Sequence, residues 1–245
     1  MDEIKVRWKK AALENCPGVP CVVTPSFTCG TSTVSDIDGN AYNTVSIGTQ
    51  CWTKTNLKVT KYNDGNLIGD STTSTWGTAL IGARTGYDVT VVPLSNYVGT
   101  FGYLYNWYAV TDARKLCPTE WHVPTDAEWT IMIQTLDPSQ AVNSGNVSTF
   151  TGAQSVTGGT VMKENSSLWS TNPGTNITGF SGLPGGYRLG SNGNFGDISV
   201  NAYFWSASAR AGNSTWSRYL SSVDGSVSRS LDNKSDGNSV RCLKD

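Results

Sequence analysis

LCPTEWHVPTDAEW, residues 116–129, joins a proline-punctuated loop carrying a tryptophan to a strongly signalled helix start. The Thr125 hydroxyl can cap the first turn, and Glu128, three residues on, can reach back to the Thr125 backbone N–H. Asp126 and Glu128 put negative charge in the first turn, where the helix dipole favours it. Trp129, Ile131, Met132, Ile133 and Leu136 follow as a wide apolar face. The pattern predicts a helix over 125–136, entered through Pro118 and Pro124 and stopped by Pro138.

Outward from this helix the signals shorten. Residues 104–115, with Leu104, Trp107, Tyr108 and Val110 facing inward, predict a second helix. Residues 41–50 alternate as a strand after a turn at 36–40. Asp36, Asp38 and Asn40 have the look of a calcium loop, but Gly39 comes too early and no glutamate closes a twelve-residue loop. A plain turn is expected there. Residues 143–159 and 169–186 read as loops, the second anchored by Phe180, Leu183 and Tyr187. Residues 203–208, 215–220, 223–230 and 240–243 alternate as short antiparallel strands joined by Gly/Asn/Asp turns. Within 215–220, Trp216, Arg218 and Leu220 share one face while Ser217 and Tyr219 share the other, and Leu220 marks the Trp216 face as the core side. The class expected is α+β: two helices, short antiparallel sheets and many loops.

Composition narrows the function classes. Only 15% of the 245 residues are charged and the net charge is −1, so nothing favours nucleic acid or an anionic membrane surface. No stretch approaches the roughly 18–20 apolar residues of a membrane span. The 26 glycines fit a loop-rich chain, and nine tryptophans with ten tyrosines supply a heavy aromatic core beneath those loops.

The chain divides near residue 34. Residues 1–34 carry Ile4 and Trp8 on a short amphipathic segment, then a Pro/Cys/Thr connector. They are too few to form a core, so we expect them to dock on a partner as an attachment peptide, with residues 35–245 forming the domain. The six cysteines, at 16, 21, 29, 51, 117 and 242, allow three bridges. Their spacing does not match a zinc site, and with His122 as the sole histidine no metal or other cofactor is expected. A catalytic triad would have to use His122, wedged between Trp121 and Val123, where a structural role fits better. No catalytic residue is assigned.

Several ordered motifs carry a family resemblance. Besides residues 116–129 these are DIDGNAYNTVSIGTQCWTKTNL (36–57), KYNDG (61–65), GYLYNWYAV (102–110), GFSGLPGGYR (179–188), YFWSAS (203–208) and SVRCLKD (239–245). Together they resemble the Fibrobacter succinogenes major paralogous domain family over roughly residues 34–245. The resemblance implies a C-type-lectin-like fold and a bridge tying the last strand to the helical region. Cys117–Cys242 is the preferred pair, with Cys51 as the other possible partner of Cys117. The fold is similar to that of formylglycine-generating enzymes, but the local cysteine pattern that activity needs is not matched here. The sugar-binding triplets of calcium-dependent animal lectins are also missing.

What is left is surface recognition. Residues 207–238 mix Tyr, Trp, Arg, Ser, Asn and Asp, the vocabulary of adaptable binding surfaces. From these we single out Tyr219, Arg210, Ser208, Asn213, Asp232 and Asn233 as candidate ligand contacts, with Trp216 and Arg218 assigned to the core side by alternation. The resemblance extends to lectin-like scaffolds diversified by retroelements, including phage proteins that contact the host, in which SVRCLKD would be the constant last strand. Residues 1–21 lack the apolar run of a signal peptide, so exposure outside a cell would need a removed export signal or release within a virus particle. The expected function is non-enzymatic binding on a phage virion. Residues 1–34 would contact other virion proteins, a host glycan or protein would be the ligand, and a homo-oligomer is compatible. The alternatives are a bacterial secreted or surface binding domain and, behind it, a formylglycine-generating-type oxidase.

Overall fold

The computed structural model describes residues 26–71, 76–78, 80–87, 96–139 and 151–245. Ile4, Trp8, Cys16 and Cys21 lie outside the described residues. The first half contains β1 (Thr33–Ser35), β2 (Ala41–Ile47), β3 (Gln50–Thr53), β4 (Gly69–Asp70), β5 (Ala83–Thr85), α1 (Tyr97–Phe101) and β6 (Leu104–Tyr105). Then come α2 (Trp107–Val110), β7 (Trp121–His122), α3 (Asp126–Leu136), β8 (Gly152–Ser155) and α4 (Gly158–Met162). The chain ends with β9 (Gly185–Arg188), β10 (Phe195–Ile198), β11 (Asn201–Ala209), β12 (Ser214–Ser221), β13 (Val227–Asn233) and β14 (Leu243–Lys244). Among the described residues strand outweighs helix, and no helix is long and apolar enough to cross a membrane.

Three sheets form. One runs β1-β2-β3-β14-β7, a second β10-β9-β11-β12-β13-β8, and a small third β4-β5-β6. The last strand thus returns to pair with β3 near the start of the domain, Leu243 opposite Trp52. The turn before β2 is made by Asp36, whose Oδ1 accepts the N–H groups of Asp38 (3.0 Å) and Asn40 (2.9 Å) while Oδ2 accepts the Tyr42 hydroxyl (2.6 Å). This is the side-chain-capped turn expected of an Asx residue.

Helix α3 has the predicted start. Thr125 accepts the Glu128 N–H, and the Glu128 carboxylate accepts the Thr125 N–H, closing a capping box. Trp129, Met132 and Ile133 point inward, and Trp129 packs 4.8 Å from Trp52 and 5.7 Å from Phe204. Ile131 does not join them: it is 46% exposed, because two residues of helix turn it about 200° from Trp129.

The helix expected over 104–115 is not there. Leu104–Tyr105 is a strand, and a single helical turn, α2, follows. Tertiary pairing overrides the helical pattern. Tyr105 N–H bonds Asn238 O and Trp107 N–H bonds Lys234 O, while Asn106 caps Ala109 N–H and also accepts Ala83 N–H. Pairing with β5 and the C-terminal segment holds 104–105 extended, and Lys115 at φ +62° leaves the helical region, so only the short α2 forms between them.

Cys117 is bonded to Cys242, inside a buried cluster with Leu57, Tyr105, Trp121, Trp205 and Val240. Cys51 is not its partner; Cys51 is bonded to Cys29, four residues before β1, which fastens the start of the described chain to β3. The 117–242 bridge closes a sequence separation of 125 and ties β14 to the loop before α3. Replacing both cysteines by serine should therefore cost roughly 2–5 kcal/mol, read as a lower urea midpoint with retained strand content by circular dichroism.

Candidate functional site

The two faces of β12 do different work. Trp216, Arg218 and Leu220 face α3, as alternation predicts, and all three are buried. Arg218 reaches the first turn of α3, where its Nη1 donates to Asp126 Oδ1 (2.8 Å) and its Nη2 to the Asp126 carbonyl (3.1 Å). Arg229, opposite Arg218 on β13, donates through Nε to Oδ1 (2.8 Å) and through Nη2 to Oδ2 (2.5 Å) of the same carboxylate. Its guanidinium carbon stands 3.2 Å from the centroid of the Trp216 ring. Burial works to raise the Asp126 pKa, but the two guanidiniums outweigh it and hold the carboxyl below its ordinary range. Burial lowers Arg218 to about 10, so it stays charged at neutral pH.

The opposite face carries Tyr203, Tyr219, Ser230 and Asp232 into a depression of about 340 Å³. Tyr203 and Tyr219 are direct cross-strand partners, with ring centroids 5.6 Å apart and planes 33° apart. Tyr187 from β9 stands edge-on to Tyr203 at 5.2 Å and 80°. It is brought there by Gly186, whose φ of +66° and close approach to the Gly196 carbonyl leave no room for a side chain. Three carboxylates complete the wall. Asp197 Oδ2 accepts the Tyr203 hydroxyl and the Asn201 amide, each at 2.7 Å. Asp232 Oδ2 accepts the Asn238 amide (2.7 Å), and Asp236 accepts the N–H groups of Gly190 (2.7 Å) and Asn233 (2.8 Å). Burial, with the nearby Asp236 charge, pushes Asp232 above the usual carboxylate range, and burial pushes Asp236 up in the same way. Burial and then Asp197 raise the Tyr203 phenol, so it donates to that carboxylate rather than ionising.

The residues singled out from the sequence are dispersed. Tyr219 and Asp232 line this depression. Asn213 and Asn233 line a second, more polar one of about 500 Å³, built with Gly190 and Ser235 from positions next to Leu189 and Asp236 of the first. The Ser208 hydroxyl accepts the Asp126 N–H (3.0 Å), placing it at the start of α3. Arg210 lies 5.3 Å over the Trp216 ring. His122 sits at the cap of α3, its Nε2 3.0 Å from Glu128 and its Nδ1 2.6 Å from Asp245. Tyr187, Tyr203 and Asp197 were not singled out. The alternation that put Tyr219 outward also applies to its strand partner Tyr203, but nothing local indicates that 187 and 197 close over them.

The Asp126 cluster positions β12 and β13, and so has a stability test. Asp126→Asn leaves two buried guanidiniums facing an uncharged amide and should cost about 3–5 kcal/mol by urea unfolding. Because the folded carboxyl titrates below the unfolded one, its contribution is complete above the ordinary aspartate value of about 4 and is lost as pH falls through the folded value. The acid limb of the stability profile should therefore be shallower in the variant.

A search of curated proteins and of solved structures returns no match. The family model for the Fibrobacter succinogenes major domain matches residues 45–244, which take in all three sheets except β1 and the start of β2. Over that span lie the capped helix, the buried Asp126 cluster and the tyrosine-walled depression, and the chain belongs to the Fibrobacter succinogenes major domain family.

Proposed function

We propose that this chain is a non-enzymatic recognition module with a C-type-lectin-like fold, and that the tyrosine-walled depression is where it binds its ligand. One observation carries the reading: three tyrosines and three aspartates from five strands and the loop after β13 converge on one concave, half-buried surface. Rigid aromatic rings beside fixed hydrogen-bonding groups are the usual means of gripping a polar ligand. The described lining offers ring faces and carboxylates to a polar ligand. Support for the lectin-like architecture comes from the last strand returning to β3 and being tied by Cys117–Cys242 to the loop before the main helix.

The place of work is part of the same proposal. The module is displayed on a phage virion to recognise a host surface glycan or protein, with residues 1–34 joining it to other virion proteins. A bacterial secreted or surface domain is the alternative. The disulfides Cys29–Cys51 and Cys117–Cys242 suit an oxidising exterior in either case.

Two experiments test this. Tyr219→Ala should weaken binding to the target cells by about 1–2 kcal/mol with little change in melting temperature, whereas Trp216→Ala should destabilise the fold by about 3–5 kcal/mol. Arg210→Ala is the comparison. Equal or greater loss of binding in that variant, with Tyr219→Ala unaffected, would move recognition from the depression to the Trp216 side of the hairpins. Separately, a chain lacking residues 1–25, which keeps Cys29 and β1, should stay folded but fail to enter virions, measured by immunoblot of purified particles. Normal incorporation of the truncated chain would remove the attachment role.

A further inference from the structure

The geometry points to an ammonium group as the ligand moiety held by the tyrosine-walled depression, carried on a surface glycan as a protonated amino sugar or a quaternary ammonium substituent. This rests on the reading of the depression as the recognition site and adds the chemistry of what fills it. The described wall holds three carboxylates and no basic side chain. The Asn238 amide is spent on Asp232, and the Tyr203 hydroxyl on Asp197. Asp232 takes the Asn238 amide on Oδ2 and has the hydroxyls of Ser230 (3.4 Å) and Ser217 beside it, fewer donors than the roughly four lone-pair sites of a carboxylate. A cationic group fits this balance: a protonated amino sugar adds N–H donors for the carboxylates, and a quaternary ammonium brings the charge alone, held by the carboxylates and the ring faces.

The rings agree with the carboxylates. Tyr187 and Tyr203 meet at 80°, forming an aromatic corner rather than the flat platform on which a neutral sugar stacks. A cation within about 6 Å of such ring faces is attracted by their quadrupoles, and the attraction grows as water is excluded. Ser217, fully buried on the Tyr219 face of β12 directly opposite Ser230, has its hydroxyl beside the Asp232 carboxylate. Burial and, after it, the Asp236 charge raise Asp232, and a bound cation would favour its ionised form.

Calorimetry on the full chain with matched pairs decides the matter: choline against its neutral isostere 3,3-dimethylbutanol, and glucosamine against glucose. The ammonium member should bind at least roughly tenfold more tightly than its neutral counterpart. Which of choline and glucosamine is preferred distinguishes the two glycan sources. Asp232→Asn and Tyr219→Leu, each checked for native circular dichroism, should both weaken the preferred probe by about tenfold. Equal binding of charged and neutral probes, or no binding of either ammonium probe, overturns the proposal. Tighter binding of a lysine derivative than of both would transfer the site to a protein partner and also overturn the glycan assignment. If no ammonium probe binds and Tyr219→Ala still abolishes cell binding, the recognition site stands and only its chemistry is wrong. If the probes bind and Tyr219→Ala leaves cell binding intact, the pocket chemistry stands and the recognition role fails.

Discussion

Connections and strand ends meet in the interior of this protein, and buried cations supply donors to their carbonyl oxygens. Lys163 donates from one ammonium to the carbonyls of Asn172, Ser221 and Asp224, each at 2.8 Å. Arg241 reaches the carbonyls of Thr53, Phe180 and Ser181 and the side chain of Asn56. Arg188 does the same for Ser71 and Gly193. An unpaired buried carbonyl costs about as much as a lost hydrogen bond, and a single guanidinium offers five donors in a planar fork. Burying the charge is itself unfavourable, and it pulls Arg241 down to about 9, still protonated at neutral pH. Several hydrogen bonds per cation, with aromatic rings such as Phe180 4.4 Å from the Arg241 guanidinium, offset that cost.

The Asp126 cluster applies the same device to the part of the fold that carries the depression. Asp126 belongs to the first turn of α3, while Arg218 and Arg229 belong to adjacent strands. Their bonds to one carboxylate lock the helix start onto β12 and β13. Tyr219 follows Arg218 directly and therefore projects to the other side of the same strand. The helix contributes no residue to the depression, yet it sets the position of the strands that do. Ser208, bonded to the Asp126 N–H, strengthens the same junction from β11.

The elements legible in the chain are those held by short-range interactions. The capping box of Thr125 and Glu128, the Asp36 turn and the alternation of residues 214–221 each depend on residues within a few positions of one another. The 104–115 segment shows the limit of that logic. Its apolar spacing suits a helix, but the carbonyls of Lys234 and Asn238 take the backbone donors of Trp107 and Tyr105. Asp126 shows it from the other side: a residue that reads as a favourable first-turn charge is also the buried counterion of two arginines far along the chain.

By itself, then, the sequence determined the family, the main helix and its cap, the outward side of Tyr219, and the aromatic load of the core. Tertiary structure alone decided which carboxylates meet which rings. Tyr187, Asp197, Tyr203, Tyr219, Asp232 and Asp236 come from five strands and the loop after β13, and no local pattern relates their spacing. They converge because β9 pairs parallel with β11 and the segment after β13 folds back across Arg188 and Tyr105, contacts between residues distant in the chain. Capping and alternation are properties of neighbours and can be read along the chain; a concave site is a property of how distant segments close on one another.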